Sequence, residues 1–149
     1  MFQPLREPDY GAVERLLIAS FDVSEHKHFL PVWQTRSQAT SLGIWRDDYL
    51  LAAALVRNQF LEYICVSDAC RGSGIGTQLL QAVLAKVPAL HLTPVNDPRV
   101  IRWYESQGFR CVSRLGDQPI YANEGAHISC SEQYATTYKQ KVLRSRLRQ

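Results

Sequence analysis

The residues best suited by type and spacing to do chemistry are Arg71-Gly72-Ser73-Gly74-Ile75-Gly76, three alternating glycines directly behind an arginine. They follow an apolar, β-forming run, Phe60, Leu61, Tyr63, Ile64, Cys65 and Val66, which reads as a strand buried on both faces. They lead into Ile75, Leu79, Ala82 and Val83, whose spacing predicts a helix. Such a turn leaves backbone N–H groups unpaired at the positive end of a helix, and the missing Cβ atoms let an anion approach them closely. The predicted ligand is a phosphate or pyrophosphate. A Walker loop is excluded, because Gly76 is followed by Thr77-Gln78 where that loop needs Lys and then Ser or Thr. The dinucleotide fingerprint is excluded by spacing, since its glycines run G-x-G-x-x-G and these run G-x-G-x-G.

The elements that must hold this turn in place can be read in chain order. Phe2 to Arg6 predicts a short edge strand, and Asp9 an N-cap for a helix whose apolar stripe is Val13, Leu16, Leu17 and Phe21. Ser24 to Gln38 has no clean period and leaves room for a short second helix, serving as a lid or a packing segment. Leu42 to Arg46 and Tyr49 to Arg57 form a hairpin around Asp47-Asp48, and Asn58-Gln59 turns the chain into the strand before the glycines. Beyond the glycine helix, Ala89 to Val95 predicts another strand. Asp97-Pro98 starts a helix with Val100, Ile101 and Tyr104 on its stripe and Gly108 at its end. Phe109 to Leu115 and Pro119 to Ala122 make a last hairpin around Gly116-Asp117. A C-terminal extension over 123–149 carries a helical stripe from Ser131 through Tyr134, Tyr138, Val142 and Leu147, and has a basic end.

Composition sets the bounds. A chain of 149 residues has room for one domain with a good core. Its net charge of +3 does not call for duplex nucleic acid, so a nucleic-acid partner is not expected. The cysteines, Cys65, Cys70, Cys111 and Cys130, form no C-x-x-C and no pairing with histidine, so no metal is expected and reduced thiols in a cytoplasmic protein are. No apolar run approaches membrane-spanning length, and the start of the chain does not read as a signal peptide.

Two blocks together give the chain a likeness. Ile64-Cys65-Val66 followed by Arg71 to Thr77, and Asn96 followed by Trp103-Tyr104-Glu105-Ser106-Gln107-Gly108-Phe109, resemble the coenzyme loop and the N-x-x-x-x-x-x-Y-E-x-x-G-F helix of the GCN5-related N-acetyltransferase family. The order of predicted elements matches from Phe2 to about Ala122, so residues 1–122 are the expected domain. The resemblance implies an α/β (α+β) single-domain acyl-CoA N-acyltransferase fold, with a mixed, mostly antiparallel sheet. That sheet would splay where Ile64 to Val66 runs beside Leu90 to Leu92. Acetyl-CoA would enter the splay, its pantetheine arm paired with the backbone of Ile64, Cys65 and Val66. Its pyrophosphate would sit on Gly72, Ser73, Gly74, Ile75, Gly76 and Thr77, with Arg71 as counter-charge.

The implied reaction is direct attack of a neutral amine on the thioester, in which Tyr104 matches the family's thiolate-protonating tyrosine. Glu62 is the candidate base, placed by strand alternation on one sheet face with Ile64 and Val66. His91, His26 and His28 are fallbacks. Asn96 stands eight residues before Tyr104 and Asp97 seven, so the pantetheine contact falls on either, and Pro94 removes a backbone donor from the second cleft strand. The acceptor is a primary amine on a small molecule or a peptide. A polyamine requires convergence of Asp22, Glu25, Asp47, Asp48, Asp117 and Glu124. The same features also fit an inactive acyl-CoA-binding sensor, and nothing in them argues against a homodimer.

Overall fold

The computed structural model describes residues 2–123. Seven strands form one sheet in the order β1-β2-β3-β4-β5-β7-β6. The strands are β1 (Phe2–Pro4), β2 (Leu42–Arg46), β3 (Tyr49–Arg57), β4 (Phe60–Val66), β5 (His91–Leu92), β6 (Arg110–Leu115) and β7 (Gln118–Ala122), and the helices are α1 (Tyr10–Ser20), α2 (His26–Gln34), α3 (Ile75–Lys86) and α4 (Pro98–Ser106). Every pairing is antiparallel except β4 with β5. A parallel pair needs a long crossover, and α3 supplies it. The expected mixed, mostly antiparallel α+β architecture is therefore the one observed.

Tight local turns fix the central hairpins. Asp47 and Asn58 both adopt φ of 54°, a left-handed conformation that Asp and Asn tolerate better than most residues. The sheet is buried on both faces. Ile64 and Val66 of β4 join Leu79, Leu80 and Val83 of α3 and Val100 and Tyr104 of α4 in one core. Tyr63 and Cys65 join Val13 and Leu17 of α1 and Phe29, Val32 and Trp33 of α2 in the other. The second helix, which the sequence left open, contains Pro31 and buries Phe29, Val32 and Trp33. Its end is pinned by Arg36, whose guanidinium lies 3.6 Å from the Trp33 ring centroid and donates to the carbonyls of Trp33 and Leu5.

Three expectations need correction. Asp9 does not cap α1. Its carboxylate accepts from the Arg6 N–H, which closes the 3-10 turn at Glu7–Asp9 that runs into the helix. The second cleft strand is two residues long rather than seven, because β5 pairs with β4 only at Phe60↔His91 before Pro94 ends any ladder. That register also puts Leu90 to Leu92 beside the start of β4 and not beside Ile64 to Val66. The expected helix from Ser131 and the basic end lie outside the described residues. No helix among the described residues is long and apolar enough to cross a membrane.

Ser41 carries the sheet past the end of β2. Its hydroxyl accepts from the Val56 N–H at 3.0 Å and lies 3.2 Å from the Val56 carbonyl oxygen, fully buried. Ser41→Ala is expected to cost about 1–3 kcal/mol, the penalty for a buried donor left without a partner. Urea unfolding measures it, and an unchanged midpoint would contradict the role given to this hydroxyl.

Candidate active site

The glycine turn is shaped as its sequence requires. Gly72 and Gly74 adopt φ of 80° and 85°, and a Cβ on either would meet nothing within 4 Å. Their glycines therefore serve backbone conformation and leave the surface open. Gly74 is the N-cap of α3 with no side-chain cap. The N–H groups of Ile75, Gly76 and Thr77 consequently have no partner within the helix, while Gln78 is the first to bond back, to the Gly74 carbonyl. Arg71 is bound at the root of the turn, donating to the Val66 carbonyl at 3.5 Å and pairing with Asp68 at 3.2 Å. The Ser73 hydroxyl donates within the turn to the Cys70 carbonyl.

A backbone edge stands beside this anion site. Ile64, Cys65 and Val66 pair on one side with Ala54, Ala53 and Ala52 of β3, and among the described residues no strand pairs with them on the other. Their side chains divide between the two cores, and burial pushes the Cys65 thiol up to about 12.

Tyr104 sits in the same core as Ile64 and Val66 and is completely buried between Trp103 and Phe109, whose ring centroids lie 4.7 and 5.7 Å away. Its hydroxyl has no hydrogen-bond partner among the described residues. Burial pushes the phenol well above the ordinary tyrosine range, so it is protonated at neutral pH. A buried hydroxyl without a partner is costly, and among the described residues Arg36 Nε, Thr40 Oγ1 and Thr93 Oγ1 are unpartnered in the same way.

Glu62 stands elsewhere than alternation predicts. The β3 register passes from Leu55↔Tyr63 to Val56↔Leu61, which leaves Glu62 as the extra residue of a bulge and breaks the alternation with Ile64 and Val66. Its buried carboxylate accepts from Nε and Nη2 of Arg57 at 3.0 and 2.8 Å, and Nη1 of Arg57 reaches the Thr35 hydroxyl just beyond α2. Glu62 therefore faces the α2 side of the sheet. Asn96 is exposed and lines a hollow of about 450 Å³ between α4 and the last hairpin, with Pro94, Ile101, Arg114 and Tyr121. No residue of β4 or of the glycine turn lines that hollow. Asp97 caps α4 by accepting from the Arg99 N–H at 2.9 Å.

The acidic residues do not form one pocket. Asp47 and Asp48 line a hollow with Arg6 and Asp9, Asp117 lines the hollow beside Arg114, and Glu124 lies outside the described residues. Glu25 turns inward and accepts a long bond from the Tyr63 hydroxyl at 3.4 Å. Of the fallback histidines, His91 is buried on β5 and His26 packs against Phe29. No cluster of three or more potential metal ligands occurs among the described residues. Sequence reasoning missed one contact at the site: Trp103 Nε1–H donates to the Thr77 hydroxyl at 3.1 Å, tying α4 to the first turn of α3. Both residues stood in the quoted blocks, but nothing in their spacing marked them as partners.

Removing one partner of the Arg57–Glu62 pair leaves a buried charge uncompensated, so Arg57→Ala is expected to lose about 3–5 kcal/mol of stability. Replacing both, as Arg57→Met with Glu62→Leu, should recover most of it in urea unfolding. A single-variant loss below about 1 kcal/mol, the range of an exposed pair, would show that the pair is not buried as described.

A family model described as an acetyltransferase (GNAT) domain matches residues 38–111, a span that holds both blocks. No curated protein sequence matches the chain. Among solved structures, a putative acetyltransferase of the GNAT family from Desulfovibrio desulfuricans is 22% identical with a TM-score of 0.65, covering 85% of this chain and 99% of its own. The ribosomal-protein-S18-alanine N-acetyltransferase from Escherichia coli is 18% identical with a TM-score of 0.63, covering 83% and 92%. Arabidopsis thaliana Naa50, in complex with the bisubstrate analogue CoA-Ac-MVNAL, is 16% identical with a TM-score of 0.59, covering 82% and 95%.

Proposed function

We propose that the chain, whose residues 38–111 match the GNAT acetyltransferase domain model, moves an acetyl group from acetyl-CoA to a primary amine by direct attack in a ternary complex. The observation that carries this reading is the buried Tyr104 hydroxyl without a partner, in the same core as the unpaired edge of β4. The residues present fit the co-substrate. The free N–H groups of Ile75, Gly76 and Thr77 suit a pyrophosphate, and the outer edge of Ile64 to Val66 suits an extended amide-bearing arm. Arg71 adds positive charge at the root of the turn.

In the proposed reaction the amine nitrogen forms a bond to the thioester carbonyl carbon, the carbon–sulfur bond breaks, and the departing thiolate takes the Tyr104 proton, which the phenol regains from solvent as Glu62 gives up the one it received. The products are an acetamide and free CoA, and the nitrogen's surplus proton leaves on the acceptor side. Glu62 is the carboxylate proposed to receive it through water, from the α2 side of the sheet. The pantetheine contact proposed from the sequence at Asn96 has the less direct support, since Asn96 lines the hollow behind α4. The similar structures named for a ribosomal protein's alanine and for a peptide-bearing bisubstrate support a peptide amine as acceptor, with small amines as the other class. A cytoplasmic location belongs to the same proposal.

The test is release of free thiol from acetyl-CoA against amines, amino acids, polyamines and peptides. Turnover with one of these classes is expected, and CoA binding without thiol release across the whole panel would replace the enzyme with a binding module. Tyr104→Phe should lower kcat by about a hundredfold or more where chemistry limits the rate, and full retention of turnover would remove Tyr104 from the mechanism. The rate should rise with pH as the acceptor ammonium loses its proton. No alkaline decline due to Tyr104 should appear below the ordinary tyrosine range, because burial keeps its acidic form intact beyond it.

A further inference from the structure

Thr77 differs from the other hydroxyls described on or next to the α-helices. Ser20 donates to the Leu16 carbonyl and Thr35, just beyond α2, to the Pro31 carbonyl, each four residues back, and Ser106 donates to the Trp103 carbonyl three back. Thr77 stands in the first turn of α3, where the carbonyl four residues back belongs to Ser73, before the left-handed Gly74. No bond donated by the Thr77 hydroxyl is found among the described residues, and the bond that it does make is one that it accepts. Indole Nε1–H is a donor only, so the 3.1 Å contact with Trp103 uses a lone pair of the hydroxyl oxygen and leaves its proton uncommitted. That proton sits on a half-buried side chain at the mouth of the turn, beside the unpaired N–H groups of Ile75 and Gly76.

We infer that Trp103 is a positioning residue for the pyrophosphate: by donating to Thr77 it turns the hydroxyl proton outward, so that the chain indole N–H to threonine O–H to phosphate oxygen adds a side-chain donor to the backbone cradle. This rests on the acetyl-CoA reading above. A hydroxyl that receives a hydrogen bond becomes a better donor, and a donor to a charged oxygen contributes more than one to a neutral group. Phenylalanine at 103 keeps the ring that packs against Tyr104 and removes only the N–H. Valine at 77 keeps the shape and removes the hydroxyl, and serine keeps the hydroxyl.

The experiment compares CoA binding by calorimetry with turnover of acetyl-pantetheine, a thioester that lacks the pyrophosphate. Trp103→Phe and Thr77→Val are each expected to weaken CoA binding about tenfold, the scale of one charge-assisted hydrogen bond. The double variant should weaken it no further than either alone, since the two groups act through one chain. Thr77→Ser should bind CoA within about twofold of the unaltered protein, and for Trp103→Phe and Thr77→Val the loss in kcat/KM with acetyl-pantetheine should be smaller than the loss in CoA affinity. Losses that add in the double variant, a Trp103→Phe protein that binds CoA normally, or an equal loss with acetyl-pantetheine would each overturn the relay and leave the acetyl-CoA reading standing. An unaltered protein that binds no CoA would overturn both.

Discussion

Two neighbouring strands of a sheet ordinarily satisfy each other along their whole length, and here β4 and β5 do so at a single register, Phe60↔His91. The rest of the candidate site depends on that early parting. It follows from the chain itself, because β5 is two residues long and the proline two positions beyond it can donate nothing to a ladder. Past the parting, among the described residues, β4 is held on one side only, by β3, yet its residues stay buried because α1 and α2 cover one face and α3 and α4 the other. The result is an enclosed backbone edge with no pairing strand among the described residues, a costly arrangement unless something else supplies the missing bonds. Tyr104, in the same core as Ile64 and Val66, likewise has a hydroxyl with no partner among the described residues.

How much of this was legible in the sequence depended on the range of the interactions involved. The hairpins at Asp47-Asp48 and Asn58-Gln59 and the start of α4 at Asp97-Pro98 are decided within a few residues, and they fall where the residue types put them. The turn from Arg71 to Gly76 is local in the same sense, and Tyr104 was visible through the block around it. The side of the sheet taken by Glu62 was not legible. Phe60 to Val66 is apolar apart from that residue, so the run has no phase to read, and the bulge at Glu62 arises from the register against β3. The length of β5 was legible only in part, since Pro94 shows where a ladder must stop while the single register against β4 is a property of the assembled sheet.

Side-chain pairing across helices was the other blind spot. Trp103 and Thr77 are far apart in the chain and meet only because α3 and α4 cover the same face. Arg57 and Glu62 lie close in sequence, but their pairing belongs to the same bulge that re-aimed the carboxylate. In both cases the residue types were present on the page, while the geometry that joins them is a property of the assembled sheet.

Cys65 sits on the strand proposed to carry a thioester, and a thiol in that position invites the question of covalent acyl transfer. Its side chain enters the core of α1 and α2, away from the face shared by Ile64, Val66 and Tyr104. Burial pushes its acidity up to about 12, so the sulfur stays a thiol near neutrality. The sulfur is thus insulated twice, by orientation and by protonation, from becoming a carrier. In the proposed reaction the strand would offer its backbone to an acylated thiol, while the pleat of the sheet turns its own thiol to the opposite face.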